Sequence, residues 1–297
     1  MEHEITAKIN TAELVKEWEE RAERARELQV FTLLGAKTDL GRVRENNEDK
    51  FEFFQPDDPD VLARKGSFYA VADGMGGHSA GQIASELALK TAIKAYYSDS
   101  SPIVEESLRA SLQQANALIF DTARAVVERA GMGTTMTALI IRGEEAFIAQ
   151  VGDSRCYRLR DGKISQLTQD HSWVNEQVKR GGLSQEEAET SPFRNVITRS
   201  LGNAPNVEVD IYREELEVSD KFLLCSDGLS GEVKPGDMAD AMKNNSPSQA
   251  AQDLVELALE RGGRDNVTVL ILSIIDIIKS DAKEKRRRLG SLLSRGK

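Results

Sequence analysis

Acidic residues stand at the ends of several apolar, strand-like runs of this chain. These residues are Glu48 and Asp49, which precede one run, Asp73, Asp153 and Asp227, which each follow one, and Asp265, which precedes the last. Strand ends hold side chains in fixed positions, so this placement suits a rigid set of ligands. A single Asp-Gly or Gly-Asp pair is a common turn, and only the repetition points to a shared site.

Several carboxylates brought together repel one another and raise each other's pKa unless a cation lies between them. Oxygen ligands suit Mg²⁺ or Mn²⁺, and the chain, with three histidines and two cysteines, has no ligand spacing for zinc. Two such ions about 3.5 to 4 Å apart would bridge a water, lower its pKa and stabilise an in-line displacement at phosphorus. The acidic residues therefore predict metal-dependent hydrolysis of a phosphate ester.

Arg44 is the candidate cation for the phosphate oxygens that do not react. It lies four residues before Glu48 and five before Asp49, so the same segment should carry it into the site. A guanidinium group binds phosphate in a two-pronged way, which a lysine does not do. The alternative is an ordinary surface arginine.

The elements that must position these residues read as a mixture of strands and helices. Strand-like runs occupy residues 31–37, 49–54 and 67–72, and two helical patterns follow, one over 81–97 and one from Ser101-Pro102 towards Ala130. A meander of strands comes next, with Asp161-Gly162 as a hairpin turn. Residues 170–202 form a long polar excursion, after which a strand (221–226), a helix opened by Ser246-Pro247 and a strand (266–275) close the domain. This order favours helices layered on antiparallel sheets.

Six ordered motifs of the chain resemble those of the type 2C metal-dependent serine/threonine phosphatases, most closely the bacterial branch. They are Arg44-Glu45-Asn46-Asn47-Glu48-Asp49, Asp73-Gly74-Met75-Gly76-Gly77-His78, Gly133-Thr134-Thr135, Gly152-Asp153-Ser154-Arg155, Asp227-Gly228-Leu229 and Gly263-Arg264-Asp265-Asn266-Val267-Thr268-Val269. The resemblance covers residues 33–275, and it implies an α+β fold, a four-layer αββα sandwich of two antiparallel sheets flanked by helices.

The resemblance also implies a role for each site residue, with two Mn²⁺ or Mg²⁺ ions per chain. Asp73 would bridge both metals, Asp227 and Asp265 would complete one site, Glu48 and the carbonyl of Gly74 would serve the other, and Asp49 would act through water. Arg44 would grip the phosphate, and Asp153 would help to hold a weak third metal. The segment 171–201 would be the flap beside the cleft.

Two departures from the family pattern affect the expected mechanism. Met75 stands where many eukaryotic members have a histidine that is proposed to protonate the leaving alcohol. A metal-bound water would then donate that proton, unless His78 or His171 reaches it. Gly231 stands where many members have an aspartate at the third metal, so a weak or absent third site is expected, with Glu232 as the substitute.

The chain is expected to consist of an N-terminal extension (1–30), the phosphatase domain (31–278) and a basic tail (279–297). The pattern of residues 10–28 predicts an amphipathic helix whose apolar stripe includes Trp18, which would dock on the domain or on a second copy. The tail contains eight basic and two acidic residues, for a charge of +6. The tail is expected to be a solvated terminus. The alternative is that its basic residues contact an anionic surface.

The composition excludes several other classes of protein. A net charge of −10 argues against nucleic acid as a bulk partner, and no apolar run is long enough to span a membrane. Cys156 and Cys225 lie in apolar runs as expected for reduced core residues, and a cytoplasmic location follows.

The expected partners are phosphoserine and phosphothreonine proteins, including serine/threonine kinases and their substrates. The alternatives are a non-catalytic pseudophosphatase that binds phosphoproteins and a regulatory scaffold.

Overall fold

Two antiparallel sheets of five strands stack face to face in the computed structural model, which describes Lys16 and residues 28–279 except His78. In spatial order the first sheet contains β1 (Leu28–Asp39), β12 (Val267–Lys279), β11 (Lys221–Cys225), β8 (Arg155–Arg160) and β9 (Lys163–Gln166). The second contains β10 (Asp210–Glu215), β7 (Glu145–Val151), β6 (Met136–Arg142), β3 (Ser67–Ala72) and β2 (Lys50–Phe54). A separate ribbon pairs β4 (Gly74–Met75) with β5 (Gly133–Thr134).

Helices cover the outer face of each sheet. The helices of the described residues are α1 (Pro59–Lys65), α2 (Ser79–Ser98), α3 (Val104–Ala125), α4 (Trp173–Lys179), α5 (Gln185–Thr190), α6 (Asp227–Ser230), α7 (Pro235–Asn244) and α8 (Pro247–Glu260). The pair α2 and α3 shares a buried cluster with the second sheet, and α7 and α8 share one with the first. A third cluster lies between the sheets. The predicted αββα sandwich is confirmed.

Strand β3 shows why both faces of the sheets are apolar. Phe68 and Ala70 lie in the cluster beneath the helices, whereas Tyr69 and Val71 lie in the cluster between the sheets. All six residues of the strand are buried. A strand that is covered on both faces reads as a continuous apolar run, and this is the run that carries Asp73 at its end.

Some boundaries differ from the sequence-based expectation. The expected proline-first start at Ser101-Pro102 is wrong, because α3 begins at Val104 after Ile103, which makes no side-chain cap. The Ser101 hydroxyl instead accepts a hydrogen bond from the Ile103 amide. The hairpin turn at Asp161-Gly162 is as predicted, with φ of 51° and 74° at the two residues.

Strand β1 begins at Leu28, three residues earlier than expected. The predicted amphipathic helix over residues 10–28 therefore overlaps the strand at Leu28, and apart from helical Lys16 the rest of it lies outside the described residues, as does the tail after residue 279. The sequence pattern does not predict β10, an edge strand with only two apolar residues, or the short helices α1 and α7. Within residues 28–279, no helix has the length and apolarity needed to span a bilayer.

Gly35 brings β1 against the start of α8. A Cβ atom at this position would lie 2.2 Å from the carbonyl carbon of Pro247 and 2.2 Å from the amide nitrogen of Ser248. No side-chain rotation relieves a clash with backbone, so the helix and the strand must separate if the residue is enlarged. The close approach of this outer helix to the first sheet therefore requires glycine.

We expect Gly35→Ala to lower the free energy of unfolding by about 1–3 kcal/mol, because the methyl group overpacks the contact between β1 and α8. Urea unfolding followed by circular dichroism measures the change. Gly236→Ala is the matched control, since a Cβ atom at Gly236 meets no heavy atom within 4 Å. Equal stability of the wild type and Gly35→Ala would contradict the packing argument.

Candidate metal centre

Three aspartates of the predicted site occupy strand ends from both sheets. Asp73 follows β3 and Asp153 follows β7, which belong to the second sheet, whereas Asp227 follows β11 of the first and is the first residue of α6. The electrostatic interactions that link Asp73 to both Asp153 and Asp227 show that the two sheets end at a common place. The structure thus brings together residues that are up to 154 positions apart in the chain.

A pair of buried threonines fixes the main chain of Asp73. The Asp73 amide donates to Thr135 Oγ1 at 2.9 Å. The Asp73 carbonyl oxygen accepts from the Thr134 hydroxyl and from the Thr135 amide, both at 2.8 Å. With its backbone satisfied by neutral partners, Asp73 keeps its carboxylate for other contacts. The threonine pair belongs to the third of the six motifs, and its contacts with Asp73 are evident only in the structure.

Glu48 and Gly74 lie together at the start of α2. A Cβ atom at Gly81 would lie 2.3 Å from Glu48 Oε2, and one at Gly74 would lie 2.1 Å from the Gly81 carbonyl oxygen. The Ser85 hydroxyl donates to the Glu48 carbonyl oxygen at 2.6 Å. The two glycines therefore make room for the Glu48 side chain against the first turn of the helix, next to the backbone of Gly74.

Arg44 lies at the same site and contacts Asp265. Its Nη2 donates to Asp265 Oδ2 at 2.6 Å, and this contact raises the pKa of the guanidinium group. The side chain of Arg44 is 53% exposed, whereas that of Asp265 is 29% exposed. Weaker attractions to Asp73 and Glu48 also reach Arg44. Arg44 is thus a positive group at the solvent side of the acidic cluster.

Asp49 is the most deeply buried member of the set. Its Oδ2 accepts a hydrogen bond from the Ser226 hydroxyl at 2.6 Å, and its Oδ1 has no hydrogen-bond partner among the described residues. Burial, with repulsion from Asp227 and Asp265, raises the pKa of Asp49 to about 7, although Ser226 and Thr268 oppose the shift. One half of this carboxylate is anchored, and the other half is left for a ligand or a water.

The whole cluster shows the electrostatic signature of carboxylates that need a cation. Burial raises the pKa of Asp73, Asp153 and Asp227, and repulsion from neighbouring carboxylates adds to each shift. One buried oxygen of Asp153 and one of Asp227 have no hydrogen-bond partner within the described residues. Buried polar atoms are seldom left unpaired, and hard divalent cations are natural partners for carboxylate oxygens. The donor set therefore fits Mn²⁺ or Mg²⁺.

The carboxylates are neighbours without being a closed ligand shell. Across the part of the chain that the structure describes, no three acidic, histidine or cysteine side chains already meet the geometry of a metal site. The fit therefore rests on the unpaired oxygens and the mutual repulsion, both of which a bound cation would relieve.

The residues around the expected third metal are less complete. Asp153 is buried and is repelled mainly by Asp227 and then by Asp170. Gly231 supplies no side chain, and the carboxylate of Glu232 lies 3.6 Å from Arg264 Nε. Glu232 thus has an ion-pair partner in Arg264, and its role as the substitute ligand stays a prediction.

His171 anchors the flap segment instead of serving the cleft. Its Nδ1 accepts a hydrogen bond from the Gly152 amide at 3.0 Å, and its Nε2 lies 3.1 Å from Asp210 Oδ2. Burial lowers the pKa of this imidazole, and the positive charge of Arg199 adds to the effect, although the hydrogen bond with Asp210 opposes it. A neutral ring keeps Nδ1 free to accept, so His171 ties the flap to the residue before Asp153.

Comparison with known proteins gives a consistent result. The family model for protein phosphatase 2C matches residues 42–264. The serine/threonine phosphatase stp of Listeria welshimeri is 38% identical over 241 residues, which cover 80% of this chain and 93% of that protein.

Solved structures agree with the sequence matches. The serine/threonine phosphatase Stp1 from Staphylococcus aureus superposes with a TM-score of 0.76 at 32% identity, over 84% of this chain and 98% of that one. The catalytic domain of the serine/threonine protein phosphatase PstP, solved in complex with two manganese ions, superposes with a TM-score of 0.72 at 34% identity, over 84% and 100%.

The repulsion within the cluster predicts an unusual effect of Asp227→Asn. In a buffer with chelator, this variant should unfold at a higher temperature than the wild type, with a gain of about 1 kcal/mol, because one buried charge is removed from the cluster. Added Mn²⁺ should reverse the order, since only the wild type keeps the full ligand set. Differential scanning calorimetry in chelator and in Mn²⁺ measures both effects.

The matched control is Asp240→Asn, the same substitution at an exposed position on α7. It should leave the melting temperature nearly unchanged in both buffers. If Asp227→Asn melted below the wild type in chelator, the carboxylates would not be repelling one another in the folded protein.

Proposed function

The chain belongs to the protein phosphatase 2C family and is a metal-dependent serine/threonine protein phosphatase, and on this premise we propose which of its residues perform the hydrolysis. The metal ligands that we propose are Glu48, Asp73, the carbonyl group of Gly74, Asp227 and Asp265, with Asp49 acting through water and Arg44 binding the phosphate. The observation that carries the proposal is the buried set of mutually repelling carboxylates with unpaired oxygens beside an exposed arginine.

Two Mn²⁺ or Mg²⁺ ions, when bound, supply an acidified water and offset the negative charge that develops on the phosphate. Asp73 is repelled by four other aspartates of the site, so we propose that its carboxylate would help to hold both ions. Asp227 and Asp265 are close neighbours and form the second group, whereas Glu48 and Gly74 lie together at the start of α2 and form the first. A third ion would rest on Asp153 with little support from the residues after Asp227.

Arg44 is proposed to bind the phosphate oxygens that do not react. Asp265 holds the guanidinium group by one nitrogen, and more than half of the side chain stays exposed. The ion pair already restricts the side chain, so the accessible guanidinium group can donate two parallel hydrogen bonds to a phosphate with a smaller loss of side-chain entropy. Lysine would keep the charge and lose the two-pronged geometry.

Neither Met75 nor His171 offers a proton for the leaving alcohol, and His78, the other histidine considered, lies outside the described residues. Met75 does not titrate, and both ring nitrogens of His171 have other partners, Gly152 and Asp210. We therefore assign neither residue a proton-transfer role.

The substrates are proteins that carry phosphoserine or phosphothreonine, and we propose that they include serine/threonine kinases and the targets of these kinases. The flap supports a role in protein recognition, because Phe193 and Val196 are exposed there and Phe193 packs against Trp173. Cys156 and Cys225 are buried and unpaired, which is compatible with the cytoplasmic site of action that we propose.

The direct experiment follows hydrolysis of a phosphothreonine peptide by the purified full chain. We expect activity with Mn²⁺, its loss with chelator, and a fall of at least about 100-fold in kcat/KM for Asp227→Asn. Asp240→Asn is again the control and should keep full activity. Activity that persisted both in chelator and in Asp227→Asn would overturn the assignment of these residues.

Arg44 has its own test in the same assay. Arg44→Ala should lower kcat/KM by about 100-fold and weaken inhibition by inorganic phosphate, because the variant lacks the group that binds the phosphate oxygens. Arg44→Lys should recover only part of the loss, since it restores charge without the paired hydrogen bonds. Unchanged phosphate inhibition in Arg44→Ala would show that other residues hold the phosphate.

A further inference from the structure

The loop between β1 and β2 carries both Arg44 and Glu48, yet it has little regular secondary structure of its own. Its backbone must therefore be held by bonds to other segments if the two side chains are to keep fixed positions. One such bond joins the Arg42 amide to the Gly263 carbonyl oxygen at 2.7 Å. Three further bonds of the loop, at Leu40, Asn46 and Glu48, lead to a single side chain, that of Asn266.

Asn266 binds the loop at three points. Its Nδ2 donates to the carbonyl oxygen of Leu40 at 2.8 Å and to that of Asn46 at 3.0 Å. Its Oδ1 accepts from the Glu48 amide at 2.8 Å. Both N–H donors and the oxygen acceptor of the Asn266 side chain thus form hydrogen bonds with a loop more than 200 positions away in the chain. The bonds to Leu40 and Asn46 bracket Arg44, and the third sets the main chain of Glu48.

Asn266 is itself buried and contacts other segments of the site. It is 5% exposed, and its own amide donates to Asp265 Oδ1 at 2.8 Å. Its carbonyl oxygen lies so close to Gly228 that a Cβ atom there would be 2.0 Å away. One residue therefore contacts the segments that carry Glu48, Asp227 and Asp265.

We propose that Asn266 is a positioning residue of the phosphatase, which holds Arg44 and Glu48 at a fixed distance from Asp265. This inference rests on the roles proposed above for these three residues. Asparagine fits the task because a planar amide offers two donors and an acceptor in one group. Alanine offers none, and aspartate keeps the acceptor while it loses both donors.

A purely structural role for Asn266 would give a different pattern of effects. Loss of three buried hydrogen bonds lowers stability wherever it occurs, so a lower melting temperature alone decides nothing. A positioning role predicts, in addition, weaker metal binding through Glu48 and a smaller contribution of Arg44. Both quantities can be measured independently of stability.

The chain offers a matched control in Asn116 on α3. This residue is 1% exposed, donates to the carbonyl oxygens of Ala204 and Pro205 at 3.0 and 3.3 Å, and accepts from the Gly202 amide at 2.8 Å. Its amide thus makes the same three kinds of bond with a different loop, one that carries none of the proposed ligands. Asn116→Ala should cost stability without a specific effect on the site.

The experiment compares Asn266→Ala, Asn266→Asp and Asn116→Ala in the full chain. Titration calorimetry with Mn²⁺ gives metal affinity without turnover, and we expect about 10- to 100-fold weaker binding for Asn266→Ala. Asn266→Asp keeps the bond to the Glu48 amide and also guards against misfolding of the alanine variant. It should lose less metal affinity than Asn266→Ala, while its KM for the phosphopeptide rises about 10-fold because the Arg44 segment is released.

A double-mutant cycle tests the link to Arg44. In the wild-type background Arg44→Ala is expected to lower kcat/KM about 100-fold, and in the Asn266→Ala background by less than about 10-fold, since the arginine is already misplaced. In the Asn116→Ala background the full effect of Arg44→Ala should remain.

The outcomes separate this inference from the proposed function. If the wild type bound no Mn²⁺, both would be overturned. If the wild type behaved as proposed and the Asn266 variants matched Asn116→Ala in Mn²⁺ affinity and in the cycle, the positioning role alone would be overturned.

Discussion

The mutual repulsion of buried carboxylates is the constraint around which this protein is organised. Asp49 and Asp153 are buried, Asp73 and Asp227 are half-buried, and burial and repulsion together raise the pKa of each. Such a cluster destabilises the folded state unless bound cations offset the repulsion. In the function that we propose, bound cations would offset this repulsion, and the same carboxylates would hold the ions needed for phosphate-ester hydrolysis.

The sandwich provides the rigidity that this cluster demands. Strand ends of both sheets meet at the site, and the buried apolar cluster between the sheets prevents them from moving apart to relieve the repulsion. Gly35 and Gly228 illustrate how closely the segments approach, since a methyl group at either would collide with backbone. A loosely packed scaffold would let the carboxylates separate, and the metal site would lose its geometry.

Neutral hydrogen-bonding groups hold several of the proposed ligands in position. Thr134 and Thr135 hold the backbone of Asp73, Ser226 holds one oxygen of Asp49, and Asn266 holds the loop of Glu48. These groups orient the acids without neutralising them, so their charge stays available to the metals. Arg44 stands at the solvent side, where we propose that it binds the phosphate.

The division between sequence and tertiary structure follows from this arrangement. The apolar runs of β3 and β11 and the acids at their ends could be read from the sequence, because burial on both faces and a sharp end leave a local pattern. The edge strand β10 left almost none, and it was missed. The start of α3 was misplaced because Ser101 bonds to Ile103 without capping the helix.

For the candidate site, the acids and Arg44 could be identified as candidate residues from the sequence alone. The partners of Asn266 and the occupied ring nitrogens of His171 were decided only by the fold. The reason is physical, since each of these contacts joins segments from 19 to more than 200 positions apart, and no local pattern records which buried polar group will meet which.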